Sequence, residues 1–218
     1  MAKLKFVWGS MSSGKTLKLI STAYNLEENG IQIMVLKPSL DTRDGEGIIR
    51  TRAGLERKCV MIDKDVDLYK AIKTYRNVLA TQFEILKWVL IDECQFLTEE
   101  QVDQLSDVVD LLGINVMCFG LRTDFQTKLF EGSKRLFEIA DDLEEIKSSC
   151  ACGEKKTSIN ARFDENGEIV TEGNQIMVGG NEKYKAICRL CWKDKLNEKK
   201  NKEKIIVSYE TANQEKGV

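Results

Sequence analysis

No histidine occurs anywhere in the chain, so imidazole cannot be the general base. Acid–base work falls to carboxylates, lysine, tyrosine or cysteine. Positive charge is not in excess either: 33 Lys and Arg stand against 35 Asp and Glu, and the pI is near 5.5. No global positive field therefore gathers nucleic acid. No apolar run reaches the length of a membrane span. Met1 leads straight into the strand-like "LKFVW" without the charged, apolar and small-residue order of a signal peptide. These absences give the expectation of a cytoplasmic protein, and in that reducing setting the seven cysteines point to metal binding or burial rather than disulfides. There is no internal repeat.

What is present is an ordinary globular composition. With 42% hydrophobic and 31% charged residues over 218 positions, the chain can bury one good core and carry a smaller appendage. Its first two thirds alternate between strand and helix patterns. "LKFVW" (Leu4 to Trp8) is strand-like, Lys15 to Glu28 is helical and ends near Asn29-Gly30, and "IQIMVLK" (Ile31 to Lys37) is a strand closed by Pro38. From Asp41 to Gly54 the chain is rich in Gly and Arg with no apolar period, as expected of a mobile loop that gates a site. "DVDLYKAIK" then predicts a helix, "NVLAT" a short strand and "WVLID" a buried strand. "TEEQVDQLSDVVDLL" predicts a helix with a capping box at Thr98 and Gln101, and "INVMCFG" another strand. This alternation predicts an α/β fold, a mostly parallel sheet flanked by helices. We expect a nucleotide-binding domain over residues 1–147, a cysteine-bearing module over 148–192, and a Lys/Glu/Asn-rich, disordered tail over 193–218.

Three motifs carry chemistry. In "GSMSSGKT" the spacing Gly9-x-x-x-x-Gly14-Lys15-Thr16 is that of a P-loop. Backbone N–H groups across Gly9, Ser10, Met11, Ser12, Ser13 and Gly14 would cradle phosphates, Lys15 would reach the β- and γ-phosphates, and Thr16 would ligate Mg²⁺. The acceptor stays open at this point: water, protein, nucleic acid or a small alcohol. In "WVLIDECQF" an apolar strand delivers Asp92 and Glu93 to its carboxyl end, the side on which doubly wound sheets bind ligands. Asp92 suits Mg²⁺ and Glu93 can take a proton from whatever attacks the γ-phosphorus. The pairs Cys150-x-Cys152 and Cys188-x-x-Cys191 offer four thiolates to a structural Zn²⁺, with a disulfide or simple burial as the alternatives. Cys59, Cys94 and Cys118 lie outside the pairs with no base partner, which argues against a catalytic thiol. Phe96, Phe125, Phe130 and Tyr184 fall just past predicted strand ends, where core packing competes with a flat slot for a planar base. Gly179-Gly180 would let backbone approach a ligand. Two other classes fit some of these features: an ATP-driven motor in which Glu93 activates water, and a zinc-ribbon interaction protein with a vestigial P-loop. The acidic pI and the intact Lys15, Thr16, Asp92 and Glu93 weigh against them.

Taken together, "GSMSSGKT", "DTR" (Asp41 to Arg43), "RAGL" (Arg52 to Leu55), "LIDECQF", "GLRTDF", the two cysteine pairs and "VGGNEKYKAICRLC" resemble the type II thymidine kinases from about Lys3 to Trp192. The resemblance implies a RecA-like P-loop fold with a small zinc-binding lasso, and transfer of the γ-phosphoryl group of ATP to the 5′-hydroxyl of thymidine, with deoxyuridine as a further acceptor, in deoxynucleotide salvage. It implies Glu93 as general base, and Asp92, Thr16 and Asp41 as organisers of Mg²⁺. Lys15 and Arg43 would neutralise phosphate charge, and Gln95 would belong to the ATP site. The lasso between the cysteine pairs would read thymine mainly through backbone, with Ile176, Met177, Val178, Gly179, Gly180 and Tyr184 in contact. Met11, Phe96, Leu121, Phe125 and Phe130 would wall the base, and Asn160 would lie beside its C5 position. A homotetramer and inhibition by dTTP are implied in the same way. The chain departs from the family in having Cys191 and Arg52 where histidine is common. Thiolate serves zinc as well as imidazole, and "TRAG" is similar to the bacterial form of that loop, so a bacterial or phage enzyme is expected.

Overall fold

The computed structural model describes residues 1–42, 45–176 and 183–214. Six parallel strands form the main sheet: β1 (Leu4–Gly9), β2 (Gln32–Pro38), β5 (Val60–Ile62), β6 (Leu86–Ile91), β7 (Asn115–Gly120) and β8 (Asp142–Ile146), in the order β5-β2-β6-β7-β1-β8. The central strands are almost wholly buried because helices cover both faces, which is why they read as continuous apolar runs rather than alternations. On one face, Leu4, Phe6, Leu36, Val89 and Cys118 pack with residues of α2 (Leu68–Thr81), α3 (Glu99–Leu112) and α4 (Glu131–Ile139). On the other, Val7, Val35, Leu90 and Phe119 meet Leu19 and Ala23 of α1 (Lys15–Glu28).

Local rules explain most boundaries. The Thr98 side chain accepts from the Gln101 N–H and the Gln101 side chain accepts from the Thr98 N–H, the expected capping box, while Gly113 closes α3 in a left-handed conformation. Three expectations are corrected. "NVLAT" is the last part of α2, since Leu68, Ile72 and Leu79 continue one buried helical stripe from the Asp67 cap. The supposed loop after Asp41 contains β3 (Ile48–Arg50), paired antiparallel with β4 (Glu56–Lys58). Gly54, at φ +86°, turns the hairpin, and Thr51 holds it shut, donating its N–H to the Leu55 carbonyl and accepting the Leu55 N–H at its hydroxyl. The stretch from Lys193, expected to be disordered, belongs to α5 (Arg189–Gln214). That helix is anchored where Lys199 donates to the Ile169 carbonyl and Lys202 pairs with Glu168.

The cysteine-bearing module is a three-stranded antiparallel sheet, β10 (Ile169–Val170), β9 (Ile159–Phe163) and β11 (Tyr184–Ile187) in that order. It follows β8 directly, so its first residues lie beside the carboxyl end of β1.

Candidate active site

The P-loop leaves the carboxyl end of β1. Ser12 (φ +61°) and Gly14 (φ +91°) both adopt left-handed backbone, the alternation that turns successive N–H groups toward one concavity. Gly9 has no room for a side chain: a Cβ there would lie 2.5 Å from Ser13 Oγ and 2.7 Å from the Ile146 carbonyl. The first turn of α1 has no side-chain cap and no acidic residue, and Ser13 Oγ is buried without a hydrogen-bond partner. Uncapped N–H groups, an orphan hydroxyl and a buried cation fit a polyphosphate. The cation is Lys15, whose Nζ donates to the carbonyl of Ser10 at 2.8 Å and of Gly9 at 3.4 Å.

From the carboxyl end of β6, Asp92 turns into the same region and accepts the Thr16 hydroxyl at 3.1 Å. Burial, and then the neighbouring Glu93 carboxylate, push Asp92 up to about 7 against the pull of Lys15. A divalent cation would relieve that penalty, and Asp92 and Thr16 are oxygen donors of the kind Mg²⁺ takes. Glu93 itself sits at φ +51°, ψ +37°, a left-handed conformation uncommon for this residue type. The Gln95 amide fixes its side chain, Nε2 donating to Glu93 Oε2 at 2.5 Å while Oε1 accepts the Leu121 N–H at 3.0 Å. The exit of β7 supplies that N–H. Gly120 must be glycine, because a Cβ would lie 2.6 Å from Cys94 Sγ and 2.8 Å from Gln95 Oε1. Cys94 is thus a packing residue, its thiol pushed well above the ordinary range by burial and then by Cys118.

These strand ends open on a cavity of about 590 Å³ lined by Met11, Lys15, Thr16, Glu93 and Leu121, with Arg50 to Gly54 of the hairpin tip across from them. A phosphate cradle and a held carboxylate therefore share one space, which suits moving a phosphoryl group to an acceptor with a removable proton. Among known families, a profile described as thymidine kinase matches residues 2–192. The chain belongs to the thymidine kinase family. It is similar to the thymidine kinase of Mannheimia succiniciproducens, 45% identical over 195 residues that cover 89% of this chain and 97% of that one. The Pasteurella multocida enzyme is 43% identical over 90% of this chain and 99% of its own length. The Rhodopirellula baltica enzyme is 43% identical over 89% of each. Among solved structures, the Pif1 helicase of Candida albicans superposes with a TM-score of 0.42 at 18% identity, over 67% of this chain and 36% of that one. That likeness is too distant to bear on function.

In this thymidine kinase the four cysteines of the two pairs converge, their sulfurs all within 4.8 Å of one another. Backbone N–H groups, led by that of Cys152, hold the Cys150 thiol down to about 6, while side-chain hydrogen bonding with Cys188 and then Cys152, which favours the protonated thiol, pushes Cys191 up to about 12. Four thiols this close cannot all ionise without a cation among them, and four thiolates fit a closed tetrahedral zinc site.

The expected base-contacting residues are placed variously. Met11 and Leu121 line the cavity. Phe125 is buried with the Arg162 guanidinium stacked 3.7 Å from its centre, and Phe130 is buried with Phe96 edge-on at 5.9 Å. Phe96 also lines a second cavity, of about 330 Å³, with Pro38, Leu40 and Ile62. Asn160 is buried, its Oδ1 accepting the Met11 N–H at 2.7 Å and its Nδ2 donating to the Thr123 carbonyl at 3.2 Å. Tyr184 opens β11 opposite Arg162, and both it and Ile176 are half-buried. Asp41 is buried in an ion pair with Lys37 at 3.1 Å. Arg43, Met177, Val178, Gly179 and Gly180 lie outside the described residues. The Arg50–Gly54 tip falls in the Gly/Arg-rich stretch expected to gate a site and overlaps the "RAGL" motif, which was its signal. Arg162, which also donates to the Glu172 and Asn174 carbonyls leading to Ile176, carried none.

Proposed function

We propose that this ATP-dependent thymidine kinase transfers the γ-phosphoryl group of Mg·ATP to the 5′-hydroxyl of thymidine, and also of deoxyuridine. The observation that carries this reading is that the P-loop and Glu93 face one cavity. Glu93 takes the proton of the 5′-hydroxyl, the 5′-oxygen forms a bond to the γ-phosphorus, and the bond from that phosphorus to the β–γ bridging oxygen breaks, leaving ADP. Gln95 donates to one Glu93 oxygen and so helps fix the orientation of the carboxylate that takes the proton. Lys15, buried at the loop, opposes the charge that accumulates on the phosphates. Mg²⁺, held by Thr16 and Asp92, would neutralise the phosphate oxygens and align the leaving group. Asp41 would help organise Mg²⁺ and its waters, and Arg43, two residues on in the sequence, would join Lys15 in opposing the phosphate charge. Met11, Leu121 and Phe125 would bound the thymine, with Ile176 and Tyr184 as further contacts. A homotetrameric assembly and binding of dTTP across the same site complete the proposal.

Replacing the base tests it. Glu93→Gln keeps the size and the hydrogen bond to Gln95 but cannot take a proton. We expect kcat to fall by about 10²- to 10⁴-fold, with ATP and thymidine affinities within about threefold of the parent. Undiminished turnover removes Glu93 from the role of base.

A further inference from the structure

The cysteine-bearing module is bound to the donor loop by more than chain continuity. Its first hairpin leaves β8, carries Cys150 and Cys152 at its tip, and closes where the Thr157 N–H donates to the Ser148 carbonyl at 2.8 Å. The hydroxyls at that closure meet the P-loop. Ser10 Oγ lies 2.6 Å from Thr157 Oγ1 and 3.1 Å from Ser148 Oγ, and those two lie 2.5 Å apart. Three residues further along, on β9, the Asn160 side chain accepts the N–H of Met11, the residue after Ser10. The carbonyl of Ser10 in turn accepts from Lys15 Nζ. Ser10, Thr157 and Asn160 are all buried, so water does not substitute for these bonds when one is removed.

We propose that Thr157 and Asn160 are positioning residues for the phosphate donor: the metal-bearing module sets the shape of the P-loop, and through Ser10 the place of Lys15, in addition to any contact it makes with the nucleoside. The clamp is local and directional. A hydroxyl at 157 bonded to the Ser10 side chain and an amide at 160 bonded to the Met11 backbone fix two successive residues of a loop whose N–H groups must converge on one point. Releasing either bond lets the loop relax toward geometries that hold phosphate less well. A role confined to folding would weaken both substrates alike, whereas a clamp on the donor loop weakens ATP selectively.

This rests on the reading that the P-loop holds Mg·ATP, and the test separates the two. Mg·ATP binding to the full chain, with no nucleoside present, is measured by titration calorimetry for the parent, Thr157→Val, Thr157→Ser, Ser10→Ala and the Ser10→Ala/Thr157→Val pair, and zinc content is measured for each. KM values for ATP and thymidine are taken alongside. Val keeps the shape of Thr without its hydroxyl and Ser keeps the hydroxyl. We expect Thr157→Val to weaken Mg·ATP by about three- to tenfold, to raise KM for ATP by a similar factor with KM for thymidine within twofold, and to retain zinc. Ser should restore most of the loss, and the double variant should fall short of the sum of the single ones, because the short Ser10–Thr157 bond is common to both. Equal ATP affinity in the Val variant and the parent, equal loss for both substrates, or additive single effects would each overturn the clamp while leaving the donor site standing. Absence of Mg·ATP binding by the parent would overturn the donor-site reading beneath it.

Discussion

Asp92 and Glu93 are neighbours in sequence, and their surroundings differ in a way that suits the two tasks proposed for them. Asp92 is buried against Thr16 and is raised from the ordinary carboxylate range to about 7, whereas the Gln95 amide engages Glu93. Raising a folded-state pKa means that the native protein keeps a proton the unfolded chain has already released. The stability that Asp92 contributes is therefore fully present below about 3.8, its ordinary value, and is lost as pH rises toward about 7. In Mg²⁺-free protein the thermal midpoint should fall between about pH 4 and about pH 7, and Asp92→Asn should flatten that part of the profile. An unchanged slope in the variant would assign the dependence to another group. At this scale the sequence was highly legible where function depends on local spacing, as in Gly9 to Thr16 or Asp92-Glu93. It was mute where a residue acts by reaching across the fold. Nothing around Arg162 or Thr157 predicts a partner in Phe125 or Ser10, because those contacts exist only after the module has packed.

The elements show the same division. α3 was readable to its first residue because a capping box is a purely local device. Removing the hydroxyl in Thr98→Ala should cost about 1 kcal/mol of stability in a urea titration, and an unchanged midpoint would show that α3 is held by its buried stripe alone. The end of α2 was misread because Val78, Leu79 and Ala80 fit a strand as readily as a helix over five residues. The stripe Leu68, Ile72, Leu79 decides the matter only over the full length. β3 and β4 escaped for a different reason: three-residue strands carry too few side chains to show alternation, and their pairing depends on the Thr51–Leu55 closure and the turn at Gly54. The functional consequence lies in that hairpin, whose tip forms a wall of the cavity opposite the P-loop. The charged composition after Lys193 suggested disorder, but cross-element contacts such as Lys202 with Glu168 tie the helix to the small sheet.

For the whole molecule, parallel strands deliver three loops to one edge: the P-loop from β1, the acid pair from β6 and the Gly120-Leu121 exit from β7 between them. The cysteine module is set against that edge because it follows β8, the partner of β1. The order of these pieces brings the proposed donor loop and the proposed base to one cavity, and the Gly-rich cradle alone could not say what receives the phosphoryl group. Among the described residues no helix is long and apolar enough to cross a membrane, and the cavity is framed by the sheet edge and the Arg50–Gly54 hairpin tip. The central claim is that the acceptor is thymidine rather than water. The most direct measurement follows ADP and nucleoside monophosphate together, with Mg·ATP and a panel of nucleosides, and with no nucleoside at all. One dTMP should form for each ADP with thymidine, with negligible ADP in its absence. ADP released at a comparable rate without any nucleoside, or no phosphorylation of thymidine, would contradict it.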